Sequence, residues 1–148
     1  MKTLLDPACH ARIVARFRSL DPAAQPRWGA LTAPRMLAHL CDQMRHTLGD
    51  TIVPGRAGPL RWPLVKQALM YWLPWPKGKI KGPREMFRTP PATWSADLAA
   101  LEGLVDRFIR ETSRDRWPEH PFFGSMTHRS WGRFIHRHFD HHLRQFGA

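Results

Sequence analysis

Residues 134–148 read FIHRHFDHHLRQFGA and place four histidines, His136, His138, His141 and His142, within seven positions. How this stretch is read decides the fold. On a helical wheel advancing about 100° per residue from Trp131, Ile135 falls at about 40°, His138 at about 340°, His142 at about 20° and Phe146 at about 60°. His138 and His142 therefore sit in the middle of an apolar face, one turn apart. Gln145, at about 320°, borders that face; His136 and Asp140, at about 140° and 180°, turn outward, and His141, at about 280°, lies on the edge. A helix with this face needs partners to bury it, so the stretch predicts a helical bundle.

Three further stretches supply those partners. "DPACHARIVARFRSL" carries a cap in Asp6, a first-turn proline in Pro7 and an apolar row in Ile13, Phe17 and Leu20. "APRMLAHLCDQMRHTLG" starts with Thr32 or Ala33 as cap and stops at Gly49. "SADLAALEGLVDRFIRETSR" has Ser95 as its expected cap and a stripe of Leu98, Leu101, Val105, Phe108 and Ile109. Thr127 is the expected cap of the histidine helix. Between the second and third of these helices, residues 50–93 hold eight prolines, with only "PLVKQALMYWL" fit for a short helix. The expectation is one all-α domain over residues 1–148: a four-helix bundle with a long Pro-rich, basic connection containing a short helix.

The composition, 43% hydrophobic and 24% charged, belongs to a globular chain. No window approaches the roughly 18 uninterrupted apolar residues of a membrane span. Asp6, Pro7, His10 and Arg12 interrupt any signal-peptide core, so the expected location is cytoplasmic. Cys9 and Cys41 form no CxxC and read as free buried thiols. The formal net charge is +11. Residues 51–93 carry eight Lys and Arg against Glu85 alone, a net +7, interleaved with Trp62, Tyr71, Trp72 and Trp75. The first reading of this stretch is aromatics anchoring the excursion to the bundle beneath solvated charges. If the excursion folds over the end of the bundle, Lys79 and Lys81 among others would draw an anionic small molecule. Nucleic acid or an anionic membrane are the rival partners, and a homodimer is compatible with the pattern.

On the second helix Met36, His39, Leu40, Gln43 and Thr47 share one face, which puts a third histidine in a core-directed row. Three neutral imidazoles from two helices suit a divalent transition metal and leave coordination positions open. Histidines packed as ordinary core residues, each satisfied by a carbonyl, are the alternative. Cys41 lies about 160° from His39 on the wheel and is excluded as a fourth ligand. Asp42 is a candidate to orient the His39 ring, against the alternative of an exposed helix aspartate. Gln145 is a candidate to hydrogen-bond a metal-bound water. In "EHPFFG", a structural turn using Gly124 is the stronger reading of His120, and approach to the site the weaker. No HExxH, GxSxG or phosphate-binding glycine motif is present, and no partner spacing marks Ser125 or Ser130 as nucleophiles.

The stretches "RWGALTAPRMLAHLCDQMRHTLG", "LPWPKGKIKGP" and "HPFFGSMTHRSWGRFIHRHFDHHLRQFG" resemble the DinB/YfiT-like superfamily of metal-binding four-helix bundles, in an uncharacterised branch. That family's second-helix histidine matches His39, and its late His-x-x-x-His-x-x-Gln pattern matches His138, His142 and Gln145. The resemblance implies a DinB-like fold and a divalent metal (Zn, Ni, Fe or Mn) on His39, His138 and His142. It also implies, for some members, thiol transfer using a low-molecular-weight thiol such as bacillithiol or mycothiol. From the residues themselves, metal-assisted hydrolysis and a non-catalytic binding module stay open beside it.

Overall fold

A computed structural model describes residues 2–75, 77–78 and 82–148. Among them the regular structure is helical, with one isolated bridge between His120 and Gly124. The five α-helices are α1 (Pro7–Ser19), α2 (Ala33–Leu48), α3 (Pro63–Gln67), α4 (Trp94–Arg110) and α5 (His128–Gln145). The described residues are thus all-α, with four long helices and a short one in the connection. Lys79 and Lys81 lie outside the described residues.

Local chemistry fixes the helix ends. The Asp6 carboxylate accepts from Cys9 N, Thr32 Oγ1 from Arg35 N and Thr127 Oγ1 from Ser130 N, each satisfying a first-turn N–H that has no intrahelical partner. Gly49, at φ +84°, closes α2. At α4 the expected cap is corrected. Thr93, not Ser95, accepts from Ala96 N, and Asp97 reaches back to Ala92 N, so the helix starts at Trp94.

Helix α2 packs along α4, and α1 along α5, with contacts also between α1 and α4 and between α2 and α5. Their apolar rows meet in one core. It includes Ile13 and Phe17 of α1, Leu37 and Met44 of α2, Phe108 of α4, and Trp131 and Phe139 of α5. A buried phenylalanine of this kind stabilises the fold by about 3–5 kcal/mol relative to alanine.

The wheel's outward face of α5 is also corrected. His136 is buried, not solvated. The residues before α1 cover it: Leu4 N donates to Gly132 O at 3.1 Å, and the strip passes so close that a Cβ on Gly132 would lie 2.8 Å from Leu5 Cγ. Arg16 of α1 pairs with Asp140 at 2.7 Å from the same side. A wheel records one helix's own pattern and cannot see a flanking strip that lies across it.

The connection between α2 and α4 folds back on the end of the bundle instead of looping into solvent. A 3₁₀ turn at Pro59–Arg61 leads into α3, which continues as a π-helical turn over Ala68–Trp72, marked by Leu73 N donating to Ala68 O at 2.8 Å. A second 3₁₀ turn, Arg84–Phe87, lies against α2.

Candidate metal centre

Helix α2 delivers His39, and α5 delivers His138 and His142, to one end of the core. One ring nitrogen from each lies within 4.8 Å of the others, close enough to hold one ion. His39 and His142 are buried, and His138 is half-buried. The i, i+4 spacing sets the α5 pair directly: His142 Nε2 stands 3.1 Å from His138 Nε2. For comparison, two nitrogens bound at about 2.0–2.1 Å to one tetrahedral zinc lie about 3.3 Å apart.

The second nitrogen of each ring decides what the first can do. His39 Nδ1 lies 2.7 Å from the Met86 carbonyl oxygen, which can only accept. Gln145 Nε2 donates to the Trp28 carbonyl at 2.7 Å, which turns Gln145 Oε1 toward His142 Nδ1 at 2.8 Å. Gln43 Nε2 donates to Thr47 Oγ1 at 2.8 Å, and Thr47 in turn donates to the Gln43 carbonyl. That turns Gln43 Oε1 toward His138 Nδ1 at 3.3 Å. These acceptors favour the Nδ1–H tautomer in all three rings, the tautomer that turns an Nε2 lone pair inward.

Two lone pairs facing each other at 3.1 Å repel unless a cation or a shared proton lies between them. Desolvation opposes the proton. It is the largest cause lowering the pKa of His39, drives His138 well below the ordinary imidazole range, and takes His142 down to about 3. Three neutral imidazole nitrogens with carbonyl-bonded outer N–H groups are a donor set that fits a divalent transition metal.

Asp42 does not orient His39. Its carboxylate accepts from Thr89 N at 2.9 Å, from Thr89 Oγ1 and from Arg45 at 3.0 Å. It acts at one remove, because Thr89 ends the segment whose Met86 holds the His39 ring. Arg35 ties the same segment through the carbonyls of Phe87 and Thr89. The Phe87 ring stacks on His39 with centroids 4.2 Å apart. Gln145 bonds the His142 ring itself, the partner its sequence position did not disclose. Gln43 and the Met86 carbonyl were not singled out as partners in the sequence. Gln43 had a visible signal, one turn from His39 on the same face, whereas Met86 acts through its backbone.

His141 and His136 do not join the cluster. Cys41 faces α4, with its thiol 3.5 Å from Asp97 O, and burial pushes it up to about 12, so it stays protonated at neutral pH. His120 does reach the neighbourhood. It lines the cavity beside the cluster, but its Nδ1 accepts from Phe122 N and Phe123 N, in a turn where Gly124 adopts φ +67°.

That cavity has a volume of about 560 Å³. Beyond the histidines its walls are largely apolar, with Leu31, Leu69, Trp75, Phe87, Phe122 and Phe134 prominent. Among the described residues no lysine, arginine, aspartate or glutamate lines it. Among the described residues, the excursion lines the cavity through Leu60, Leu69, Trp75 and Phe87, which are hydrocarbon and aromatic, and none of its charged side chains does so.

No family model, no curated protein and no solved structure matches this chain.

Proposed function

We propose that this chain is a DinB/YfiT-like four-helix bundle that holds one divalent transition metal on Nε2 of His39, His138 and His142, and that it catalyses transfer of a small thiol to an electrophile. The observation that carries the reading is the shared wiring of the three rings, each Nδ1 bonded outward to a carbonyl oxygen and each Nε2 turned inward. Rings packed only as core residues have no need to aim three lone pairs at one point.

Bound there, a divalent ion would supply Lewis-acid activation of a nucleophile that is weak at neutral pH. The chain's own residues do the rest. Gln43, Gln145 and the Met86 carbonyl hold the rings in one tautomer and orientation. Trp75, Phe122 and Phe134 exclude water and give an uncharged organic substrate an apolar bed. The thiol comes from a free small molecule, since Cys41 is held protonated and faces away, and Cys9 sits on α1, which contributes no residue to the cavity lining.

The test offers the metal-loaded, untagged protein several small thiols with an apolar electrophile and follows thiol consumption. A metal-dependent rate that His39→Ala abolishes and that Cys9→Ser and Cys41→Ser retain is expected. A metal-loaded protein inactive with every thiol, yet cleaving esters or amides, would replace transfer by hydrolysis.

A further inference from the structure

The aromatics of the excursion divide into two sets. Trp75 and Tyr71 pack inward, with Trp75 Nε1 donating to Leu69 O and its ring against Phe134. Trp62 and Trp72 do the opposite. They are 65% and 77% exposed, and Leu64 and Leu73 beside them are 83% and 51% exposed. These four account for all but one of the large hydrophobic side chains that the described residues leave in solvent. Leu64 and Trp72 lie two turns apart on one row of the α3 and π-helical segment, whose opposite side buries Met70. A run of 17 residues, 59–75, therefore has two apolar sides, one on the bundle and one on water. Large apolar side chains gathered in one short segment of an otherwise polar surface mark a contact site.

Charge identifies the occupant. Lys66 lies within this segment, and Lys77, Arg133 and Arg137 adjoin it. Their partners are carbonyls and rings: Ser125 O for Lys66, the Trp28 ring for Lys77, the Tyr71 ring for Arg133, and the Met70 and Leu73 carbonyls for Arg137. None of these partners is a carboxylate, although Glu119, paired with Arg61 at 2.7 Å, acts on Lys66, and Asp140 acts on Arg137. A second copy of the chain would set this cationic rim against an identical one, on two molecules of net charge +11 each, so self-association through the patch is opposed. Nucleic acid would use the tryptophans for stacking but has nothing to gain from Leu64 and Leu73. An anionic bilayer uses every component: indole and leucine enter the interface, and the rim meets lipid phosphates.

We propose that residues 59–75 are a docking element for an anionic membrane surface, inserting Trp62, Leu64, Trp72 and Leu73 at the headgroup level. The other side of the same segment supplies Leu60, Leu69 and Trp75 to the cavity wall. Docking therefore sets the apolar cavity beside the phase in which apolar molecules collect. The docking itself does not depend on metal.

The experiment sediments the full chain with phosphatidylcholine vesicles and with mixed phosphatidylcholine–phosphatidylglycerol vesicles, at low and high salt. Binding is expected to the mixed vesicles only, to weaken with salt, and to shift tryptophan emission to the blue. The double variant Leu64→Ser, Trp72→Ser should bind about tenfold or more weakly. Both side chains are exposed, so its circular dichroism and metal content should match the parent. Equal vesicle binding by parent and variant would reduce the effect to charge and overturn the proposal. So would absence of binding to either vesicle. A dimer in vesicle-free solution that the variant dissolves would assign the patch to a second copy. Single-stranded DNA that displaces the vesicles and loses the same factor in the variant would assign it to nucleic acid.

Discussion

Two of the regions in which this molecule buries histidines wire them differently. At the bundle end, His39, His138 and His142 each direct Nδ1 at a carbonyl oxygen and turn Nε2 inward, toward one another. Where α2 meets the loop before α5, His46 has both nitrogens against carbonyls, Thr51 O at 3.2 Å and Glu119 O at 3.1 Å, while His120 uses Nδ1 to accept two backbone N–H groups. Burial alone does not separate these regions, since His39, His46, His120 and His142 are all buried. The partner of the second nitrogen does. A ring whose outer nitrogen donates to a carbonyl keeps a lone pair to offer; a ring with both nitrogens engaged, or one that accepts from the backbone, ties loops together.

The sharpest way to break this distinction is to remove one ring from each region. His138→Ala or His142→Ala should take metal content from about one ion per chain to near zero, since two remaining imidazoles are too few for a stable site. His46→Ala and His120→Ala should keep the metal, and so should His136→Ala, whose ring is buried by the strip before α1. Elemental analysis of untagged protein reads all five. Full occupancy in His142→Ala, or loss in His46→Ala with the fold intact, would erase the difference between the regions.

A smaller effect belongs to the groups behind the rings. Gln145→Ala removes the 2.8 Å partner of His142 and frees its tautomer. Metal affinity, measured by competition with a chromophoric chelator, should fall about 10–100-fold while stoichiometry is kept. Gln43→Ala, whose bond to His138 is longer at 3.3 Å, should lose less. An unchanged affinity in Gln145→Ala would mean that ring orientation comes from packing alone.

The sequence disclosed the histidines that converge here better than the groups behind them, for a physical reason. Helical periodicity projects side chains onto faces, so His138 and His142 on one helix and His39 on another were legible, as were local caps such as Asp6, Thr32 and Thr127. Partners that come from across the fold leave no periodic trace. Met86 reaches His39 from 47 residues away through a backbone carbonyl, and Asp42, the obvious acidic neighbour, is taken by Thr89 instead. His136 was placed in solvent because the strip that covers it belongs to no helix. Outside its short helix the excursion has no period, so the division of its tryptophans into inward and outward sets became visible only in three dimensions.

The last effect distinguishes the loop-binding His120 by its proton. Burial lowers His120 to about 3 in the folded chain, against about 6.5 in an unfolded one. As pH falls below the unfolded value, the unfolded chain takes up a proton that the folded chain refuses, so stability drops. The sign follows from proton counting: stability is fully present above about pH 6.5, declines by up to about 1.4 kcal/mol per pH unit toward pH 3, and levels below it. His39, His138 and His142, lowered by the same desolvation, add slopes of the same sign. His120→Asn isolates this one, because an asparagine oxygen can still accept the Phe122 and Phe123 N–H groups but does not titrate. Urea unfolding across this range should give the variant a shallower acid dependence with its metal content unchanged. Parallel curves for the two proteins would mean that His120 protonates in place, and that its Nδ1 does not depend on the two backbone donors.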